Sequence, residues 1–260
     1  MYLGVDYYPE HWKSEMLEED LNNIVELGSN VIRIGEFAWH MMEREEGVFD
    51  FSYFDNIINE AKKKGLKVIF GTPTATMPAW LAKKHPDVLG EFEDNTKRVF
   101  GGRRQYCFNS KTYYKYTEKI IRELANHFKN EEAIVAWQID NEFGHEGSDI
   151  CFCNECKESF RKYLREVYNN DINKLNETWG TIFWSQTYNE FDEIPIPAKT
   201  ITTHNPSLRM EWERFRSLSV ENYAKFQVDL LKDILGEKSV IIHDFSGGYF
   251  DKSFDFSKVA

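Results

Sequence analysis

The chain has 260 residues, 42% of them hydrophobic, so it is long enough to bury a full core as one large domain or two small ones. Its net charge of −11 disfavours nucleic acid and anionic membranes as partners, because both repel an acidic protein. No stretch approaches the roughly 18 apolar residues of a membrane span, and the first residues do not resemble a signal peptide. We therefore expect a cytoplasmic protein with reduced thiols.

Strands and helices alternate through the first 142 residues. Apolar runs predict strands at 4–8, 31–35, 67–71 and 134–142. Helical spacing predicts helices at about 14–28, 51–64 and 111–129, with Ser14 as a helix N-cap and Ser110 at the start of the third helix. This alternation indicates a parallel sheet with right-handed crossovers.

The pattern changes after residue 142. Residues 143–207 read as an insertion with a cysteine cluster and a helix near 155–168, followed by a long helix at 208–235 and a fifth strand at 239–244. The tail, 251–260, contains the start of a further helix. No G-x-G-x-x-G follows the first strand, which argues against a dinucleotide site.

Five strand–helix units with polar residues at the strand ends favour an α/β fold of the (β/α)8 TIM barrel type. A complete barrel needs eight strands and usually about 250 residues. We therefore expect residues 1–260 to form one catalytic barrel domain, truncated after about five strands, with a zinc-bearing insertion after the fourth.

The fourth predicted strand ends in three polar residues, Asp140, Asn141 and Glu142. Ligands bind at the carboxyl ends of strands in parallel α/β folds, so Glu142 is a candidate catalytic carboxylic acid. The alternative is that Asn141 and Glu142 cap the helix that follows. The strand taken alone does not separate the two. His243 and Asp244, at the end of the fifth strand, are further candidates to face the same pocket.

The four cysteines predict a metal site. Cys151, Cys153 and Cys156 form a C-x-C-x-x-C, and Cys107 precedes the third long helix. Closely spaced thiols in a reduced protein favour a metal over a disulfide, and zinc accepts four thiolates tetrahedrally. Four protein ligands leave no open position, so we expect a structural Zn²⁺. An iron–sulfur cluster and four unliganded thiols are the alternatives.

Several long motifs together resemble the glycoside hydrolase family 42 β-galactosidases. They are Gly4–Trp12, Val31–Trp39, Gly71–Thr76, Arg103–Cys107, Trp137–Glu142, the C-x-C-x-x-C and Phe183–Tyr188. The resemblance implies a barrel that hydrolyses terminal β-D-galactosides with retention of configuration, and a trimeric assembly. It implies that Glu142 is the general acid/base, and that the four cysteines bind zinc. The residues implied to line the sugar pocket are Arg103, Asn141, Glu36 and Trp184.

Retaining hydrolysis needs a second carboxylate about 5 Å from the acid. The resemblance implies a glutamate nucleophile at the end of a seventh strand, and no residue of the sequence matches it. Glu36 ends the second strand and does not fit that pattern, so we expect residues 1–260 alone to be inactive. Two alternatives stay open. One is a related glycosidase for α-L-arabinopyranosides or β-fucosides, and the other is a non-catalytic galactoside-binding or structural barrel fragment.

Overall fold

A parallel sheet forms the centre of the fold. The computed structural model describes residues 1–245 and 255–258. Its strands and helices follow in the order β1 (Gly4–Asp6), α1 (Leu17–Glu26), β2 (Val31–Ile34), α2 (Trp39–Met42), β3 (Glu43–Glu45), β4 (Val48–Phe49), α3 (Ser52–Lys63), β5 (Lys67–Gly71), α4 (Ala79–Lys84), α5 (Lys111–Phe128), β6 (Ile134–Gln138), α6 (Asn154–Val167), α7 (Ile172–Trp179), α8 (Pro206–Leu235) and β7 (Ile241–Ile242).

The described strands pair as the alternation predicts. β1, β2, β5, β6 and β7 form one sheet in that order, and every neighbouring pair is parallel. β3 and β4 form a separate antiparallel hairpin. All carboxyl ends of the five parallel strands therefore lie along one edge, where parallel α/β folds bind ligands.

The main core lies between this sheet and helices α1, α3, α5 and α8. Phe70 of β5 is fully buried at its centre. Its ring centroid lies 5.4 Å from that of Phe54 in α3, 5.1 Å from Phe128 in α5 and 5.6 Å from Trp137 in β6. Aromatic pairs of this kind contribute about 0.5–1.5 kcal/mol beyond the area they bury. This cluster holds the central strands against the helices on one face.

The segment between β6 and β7 has a second core of its own. It contains the four cysteines and the apolar faces of α6, α7 and the first half of α8, including Phe160, Leu175 and Trp212. The second half of α8 belongs to the main core through Val220 and Tyr223. Because α8 has 30 residues and is about 45 Å long, it reaches from one core to the other.

Several predicted boundaries are confirmed and others are wrong. Ser110 caps α5, since its hydroxyl accepts the backbone N–H of Tyr113 at 3.1 Å. The N-cap predicted at Ser14 is wrong: Ser14 lies in a 3-10 turn, and α1 begins three residues later. Three further elements were not predicted, because they are too short for a clear periodic signal: α2, the β3–β4 hairpin and α7. The predicted fifth strand is reduced to its two central residues.

The predicted tail helix falls on residues 251–260, most of which lie outside the described residues; those described form a 3-10 turn, Phe256–Lys258. Within residues 1–245 and 255–258, no helix is both long and apolar enough to cross a membrane.

Candidate active site

The chain turns sharply directly after β6. Asp140 and Glu142 both have positive φ angles, 48° and 45°, which cost residues other than glycine on the order of 1–3 kcal/mol each. The buried carboxylate of Asp140 offsets this cost by accepting three hydrogen bonds. The donors are the backbone N–H of Asn141 at 2.7 Å, the Thr74 hydroxyl at 2.5 Å and the Tyr106 hydroxyl at 2.9 Å. Burial raises the pKa of Asp140 to about 6, although these hydrogen bonds oppose the shift.

The helix-cap alternative for Asn141 and Glu142 is wrong. The next segment is a 3-10 turn with Gly144 at its N-cap, and the next α-helix, α6, has Cys153 at its N-cap. The polar side chains of Asn141 and Glu142 therefore do not cap a helix and lie at the carboxyl edge of the sheet.

The carboxylate of Glu142 is surrounded by hydrogen-bond donors. Its Oε2 accepts Nη1 of Arg104 at 2.9 Å and Nδ2 of Asn141 at 3.2 Å, and Nη1 of Arg103 lies 3.7 Å away. The Glu142 side chain remains 25% exposed, so a ligand above the sheet edge can still reach it. A partly exposed carboxyl group in this position can donate a proton to a bound molecule or accept one from it.

Arg104 is a site residue that the sequence analysis did not single out. Its side chain is 1% exposed, and its Nη2 donates to Glu146 at 2.7 Å while its Nη1 holds Glu142. The backbone supports this placement, because Arg104 has φ 54° and donates its N–H to the carbonyl of Ala75. The only signal in the sequence was its position beside Arg103.

A network around Arg33 joins four strand ends. Its Nη2 lies 2.9 Å from Asp6 at the end of β1, and its Nε lies 3.1 Å from Glu36 after β2. Its Nη1 donates to Gln138 of β6 at 2.8 Å and to Asp244 after β7 at 3.0 Å. A charged residue inside an otherwise apolar strand was the available signal for this role. The network fixes the relative positions of the acidic side chains along the edge.

Glu36 is fully buried beneath this network. Its Oε1 accepts the hydroxyl of Tyr8 at 2.9 Å, whereas its Oε2 has no hydrogen-bond partner within the described part of the chain. Burial raises the pKa of Glu36, and the charge of Arg33 opposes the rise. A Cβ at Gly71 would lie 2.6 Å from the Cβ of Glu36, so glycine there makes room for this side chain.

His243 and Asp244, which follow β7, hold the backbone of the turn that carries Glu142. Nδ1–H of His243 donates to the carbonyl of Ile139 at 2.7 Å, and Nε2 accepts the N–H of Phe143 at 3.1 Å. This pairing requires a neutral ring, and burial lowers the pKa of His243 to about 4. The carboxylate of Asp244 accepts the N–H of Glu142 at 3.3 Å.

The predicted sugar-binding residues do not all come together. Arg103 and Asn141 adjoin Glu142, and Glu36 is linked to it through Arg33 and Asp244. Trp184 is 63% exposed and stacks on Phe183 at 4.6 Å. Within the described residues it makes no hydrogen bond or ring contact with the group around Glu142, and its role stays a prediction.

The four cysteines form a compact buried cluster. The sulfur atoms of Cys107, Cys151, Cys153 and Cys156 all lie within 4.8 Å of one another. Cys107 Sγ lies 3.5 Å from Cys153 Sγ and 3.3 Å from Cys156 Sγ. Four thiolates around a tetrahedral zinc ion at 2.3 Å would have sulfurs roughly 3.8 Å apart, so the cluster matches that geometry.

Backbone and side-chain N–H groups point at the sulfurs from outside the cluster. The N–H of Asn109 donates to Cys107 at 3.3 Å, its Nδ2 donates to Cys156 at 3.3 Å, and the N–H of Glu91 donates to Cys151 at 3.4 Å. Outer donors of this kind orient the ligands of metal centres. The four cysteines can therefore hold a metal ion between the 107 loop and the segment after β6.

A parallel α/β sheet with a partly exposed carboxyl group at its carboxyl edge is an arrangement found in (β/α)8 barrel enzymes. The comparisons make the assignment specific. The profile of glycoside hydrolase family 42, described as β-galactosidase, matches residues 6–260, and the chain belongs to that family.

Individual relatives agree with the profile. A β-galactosidase of Haloferax lucentense is 39% identical over 249 residues, and one of a Thermus species is 41% identical over 249 residues. These alignments cover 96% of this chain but only 37% and 38% of the relatives. The solved β-galactosidase of the Antarctic haloarchaeon Halorubrum lacusprofundi superposes with a TM-score of 0.95 at 38% identity, over 100% of this chain and 38% of that one. The chain thus spans less than two-fifths of the length of these relatives.

Proposed function

We propose that this chain carries the acid/base half of a retaining β-galactosidase, with Glu142 as the proton donor. The observation that carries the proposal is the position of Glu142 after the fourth strand of the parallel sheet, held by Arg104 and still exposed. The relatives that match the chain are named β-galactosidases, which supports a terminal β-D-galactoside as the substrate.

In the proposed reaction, a carboxylate nucleophile attacks the anomeric carbon while the Glu142 carboxylic acid protonates the departing glycosidic oxygen. The C–O bond to the leaving group breaks, and a galactosyl ester forms on the nucleophile. The Glu142 carboxylate then takes a proton from water as that water attacks the same carbon, which releases galactose with its configuration retained. We assign the nucleophile role to no residue of this sequence.

Four residues are proposed to bind the sugar. Asn141 adjoins Glu142 and is suited to the 2-hydroxyl, and Arg103 offers a half-exposed guanidinium on the same side. Oε2 of Glu36 is a buried acceptor that a sugar hydroxyl would satisfy. Trp184 is proposed to border the pocket, because its exposed indole can stack on a pyranose face.

The test compares Glu142→Gln with wild type in a protein that also supplies the nucleophile, on two aryl β-galactosides, one with a poor and one with a good leaving group. General acid catalysis contributes roughly 10²- to 10⁴-fold, so the variant should lose that factor in kcat/KM on the poor leaving group and much less on the good one. Glu146→Gln is the matched control, because Glu146 also pairs with Arg104 but lies on the exposed loop. Equal losses in the two variants would contradict the assignment to Glu142.

A second candidate is galactoside binding without hydrolysis by these 260 residues. It is favoured by the absence of a residue in this sequence that matches the nucleophile motif. Calorimetry with a non-hydrolysable thiogalactoside, beside the aryl assay of a protein that also supplies the nucleophile, separates the two. Binding without turnover in that protein favours this candidate, and turnover that Glu142→Gln abolishes contradicts it. Nitrophenyl α-L-arabinopyranoside and β-D-fucoside in the same assay test the related substrates.

The four cysteines are proposed to bind one structural Zn²⁺. Their buried sulfurs, mutual distances and outer N–H donors support a closed tetrahedral site, and they leave no ligand position for substrate. A trimeric assembly, which rests on the family resemblance, and a cytoplasmic location, in which thiols stay reduced, belong to the same proposal.

A further inference from the structure

Arg103 and Arg104, which lie beside Glu142, also line a cavity. Its volume is about 610 Å³, within the usual range of roughly 300–1,000 Å³ for small-molecule sites. The loops 145–150 and 197–204 and the start of α8 form its walls. We name it the insertion cavity. Neither Glu142 nor Glu36 lines it, but Arg103 does, so the insertion cavity adjoins the proposed galactose pocket.

The insertion cavity is positively charged in an acidic protein. Six cationic side chains line it, against three carboxylates, whereas the whole chain has a net charge of −11. The cations are Arg98, Arg103, Arg104, Lys199, Arg209 and Arg216, and the carboxylates are Glu93, Glu146 and Glu213. Such a local excess attracts anions.

Two of these cations are available to a ligand. Arg104 and Arg216 are engaged in ion pairs, the latter with Asp149 at 2.5 Å and Glu213 at 2.5 Å. Lys199 and Arg209 are exposed and form no ion pair within the described residues. Both line the insertion cavity, Lys199 from the 197–204 loop and Arg209 from α8.

The lining also contains buried polar atoms without partners, among them one of Trp212 and one of Ser148. Nε1 of Trp212 and Oγ of Ser148 make no hydrogen bond within the described part of the chain, although the residues are only 2% and 6% exposed. An unsatisfied buried donor costs about 1–3 kcal/mol. The indole N–H can only donate, so it calls for an acceptor atom on whatever fills the cavity. The Trp212 ring is held in place by stacking on Phe152 at 5.6 Å.

We propose that the insertion cavity binds a small hydroxylated organic oxyanion, a phosphate monoester or a carboxylate. Its anionic group pairs with Lys199 and Arg209, and an oxygen of its body accepts the hydrogen bond of the Trp212 indole. The aromatic rings of Phe152 and Trp212 contact its carbon skeleton. This binding does not require hydrolysis by Glu142, so it stands or falls independently of the proposed β-galactosidase activity.

The test is isothermal titration calorimetry of the whole chain with glucose 6-phosphate, gluconate, inorganic phosphate and neutral glucose. At least one of the two organic anions should bind saturably and at least tenfold more tightly than glucose, with the tighter one identifying the anionic group. Inorganic phosphate should bind more weakly than the organic phosphate, because it has no body to reach Trp212. The absence of saturable binding by both organic anions would overturn the proposal.

Variants locate the binding. K199A/R209A should weaken the organic anion at least tenfold, and Trp212→Phe, which keeps a ring but removes the N–H, should weaken it about fivefold. Lys162→Ala is the control, because Lys162 is an exposed cation of α6 outside the cavity. Circular dichroism checks that each variant is folded. Unchanged affinity in K199A/R209A would show that the anion binds elsewhere and would contradict the proposal.

Discussion

At the scale of single residues, the turn after β6 combines backbone strain with a dense set of hydrogen bonds. Asp140 and Glu142 occupy the left-handed region without being glycine. The Asp140 carboxylate accepts a backbone N–H of the turn. His243 and Asp244, at the end of the neighbouring strand, hydrogen-bond to other backbone groups of the same turn. Strain of this kind persists only where the surroundings over-determine it, and it clusters at active sites. The carboxyl group of Glu142 is therefore positioned before any ligand arrives.

The neutral state of His243 leads to a prediction about pH. The folded pKa is about 4, below the ordinary 6.5, so the unfolded chain binds the proton first as the pH falls. The contribution of the neutral His243 ring to the free energy of unfolding is fully present above pH 6.5. It decreases by up to about 3 kcal/mol as the pH falls from 6.5 to 4. His243→Phe should be less stable than wild type by about 1–3 kcal/mol at pH 7.5, because two backbone groups lose their partner.

The measurement is urea unfolding of wild type and His243→Phe from pH 7.5 to 4.5. The difference in the free energy of unfolding between wild type and His243→Phe should become smaller as the pH falls. Asp140 titrates in both proteins, so its contribution cancels from this difference. His40→Phe is the control, since His40 is exposed and its difference from wild type should not follow this course. A constant difference for His243→Phe would contradict the argument.

At the scale of elements, the cysteine cluster joins segments far apart in sequence. Cys107 precedes α5, whereas the other three cysteines lie between β6 and the second turn of α6. Asn109 extends the connection to α8 by donating from Nδ2 to the hydroxyl of Ser219 at 3.1 Å. A metal at this point would hold the segment after β6, and with it the loop that follows Glu142, against the rest of the fold.

Purified protein should contain about one zinc ion per chain by atomic emission. A strong chelator should make all four thiols titratable and lower the melting temperature, because structural zinc supplies folding free energy. Cys153→Ser should behave like the chelated protein, whereas Cys156→His, which restores a zinc ligand, should retain more metal. Four thiols that titrate freely in the untreated protein, with no zinc present, would rule out the site.

At the scale of the whole molecule, two hydrophobic cores share one helix. The main core joins the sheet to its flanking helices, and the second core belongs to the segment that contains α6 and α7. The first half of α8 packs in one and the second half in the other. A substitution that destabilises the second core should therefore destabilise the first half of α8 more than it destabilises the sheet.

Hydrogen exchange tests this division. Leu175→Ala in α7 and Ile32→Ala in β2 each empty a fully buried site, at a cost of about 2–5 kcal/mol. Leu175→Ala should speed exchange in α6, α7 and the first half of α8 and leave β2 and β5 protected. Ile32→Ala should speed exchange throughout the sheet. Uniform loss of protection in both variants would mean that the two cores unfold as a single unit.

Local patterns predicted most of the fold. The parallel sheet, the long helices α3, α5 and α8 and the cap at Ser110 follow from apolar periodicity and one hydroxyl. The short elements did not, because two to four residues in α2, β3 and β4, and eight in α7, carry too little pattern to be distinguished from a loop. Ser14 shows the same limit: a good capping residue was present, but the chain forms a 3-10 turn there.

The sequence by itself determined the family, the parallel sheet, the candidate acid Glu142 and the four thiols, because each is encoded in a contiguous motif or a regular spacing. Only the tertiary structure decided what surrounds them. It brought Arg104 to Glu142, Arg33 to four strand ends and Trp212 to a charged cavity. The physical reason is that hydrogen bonds and ion pairs depend on distances in space between residues that no local pattern relates.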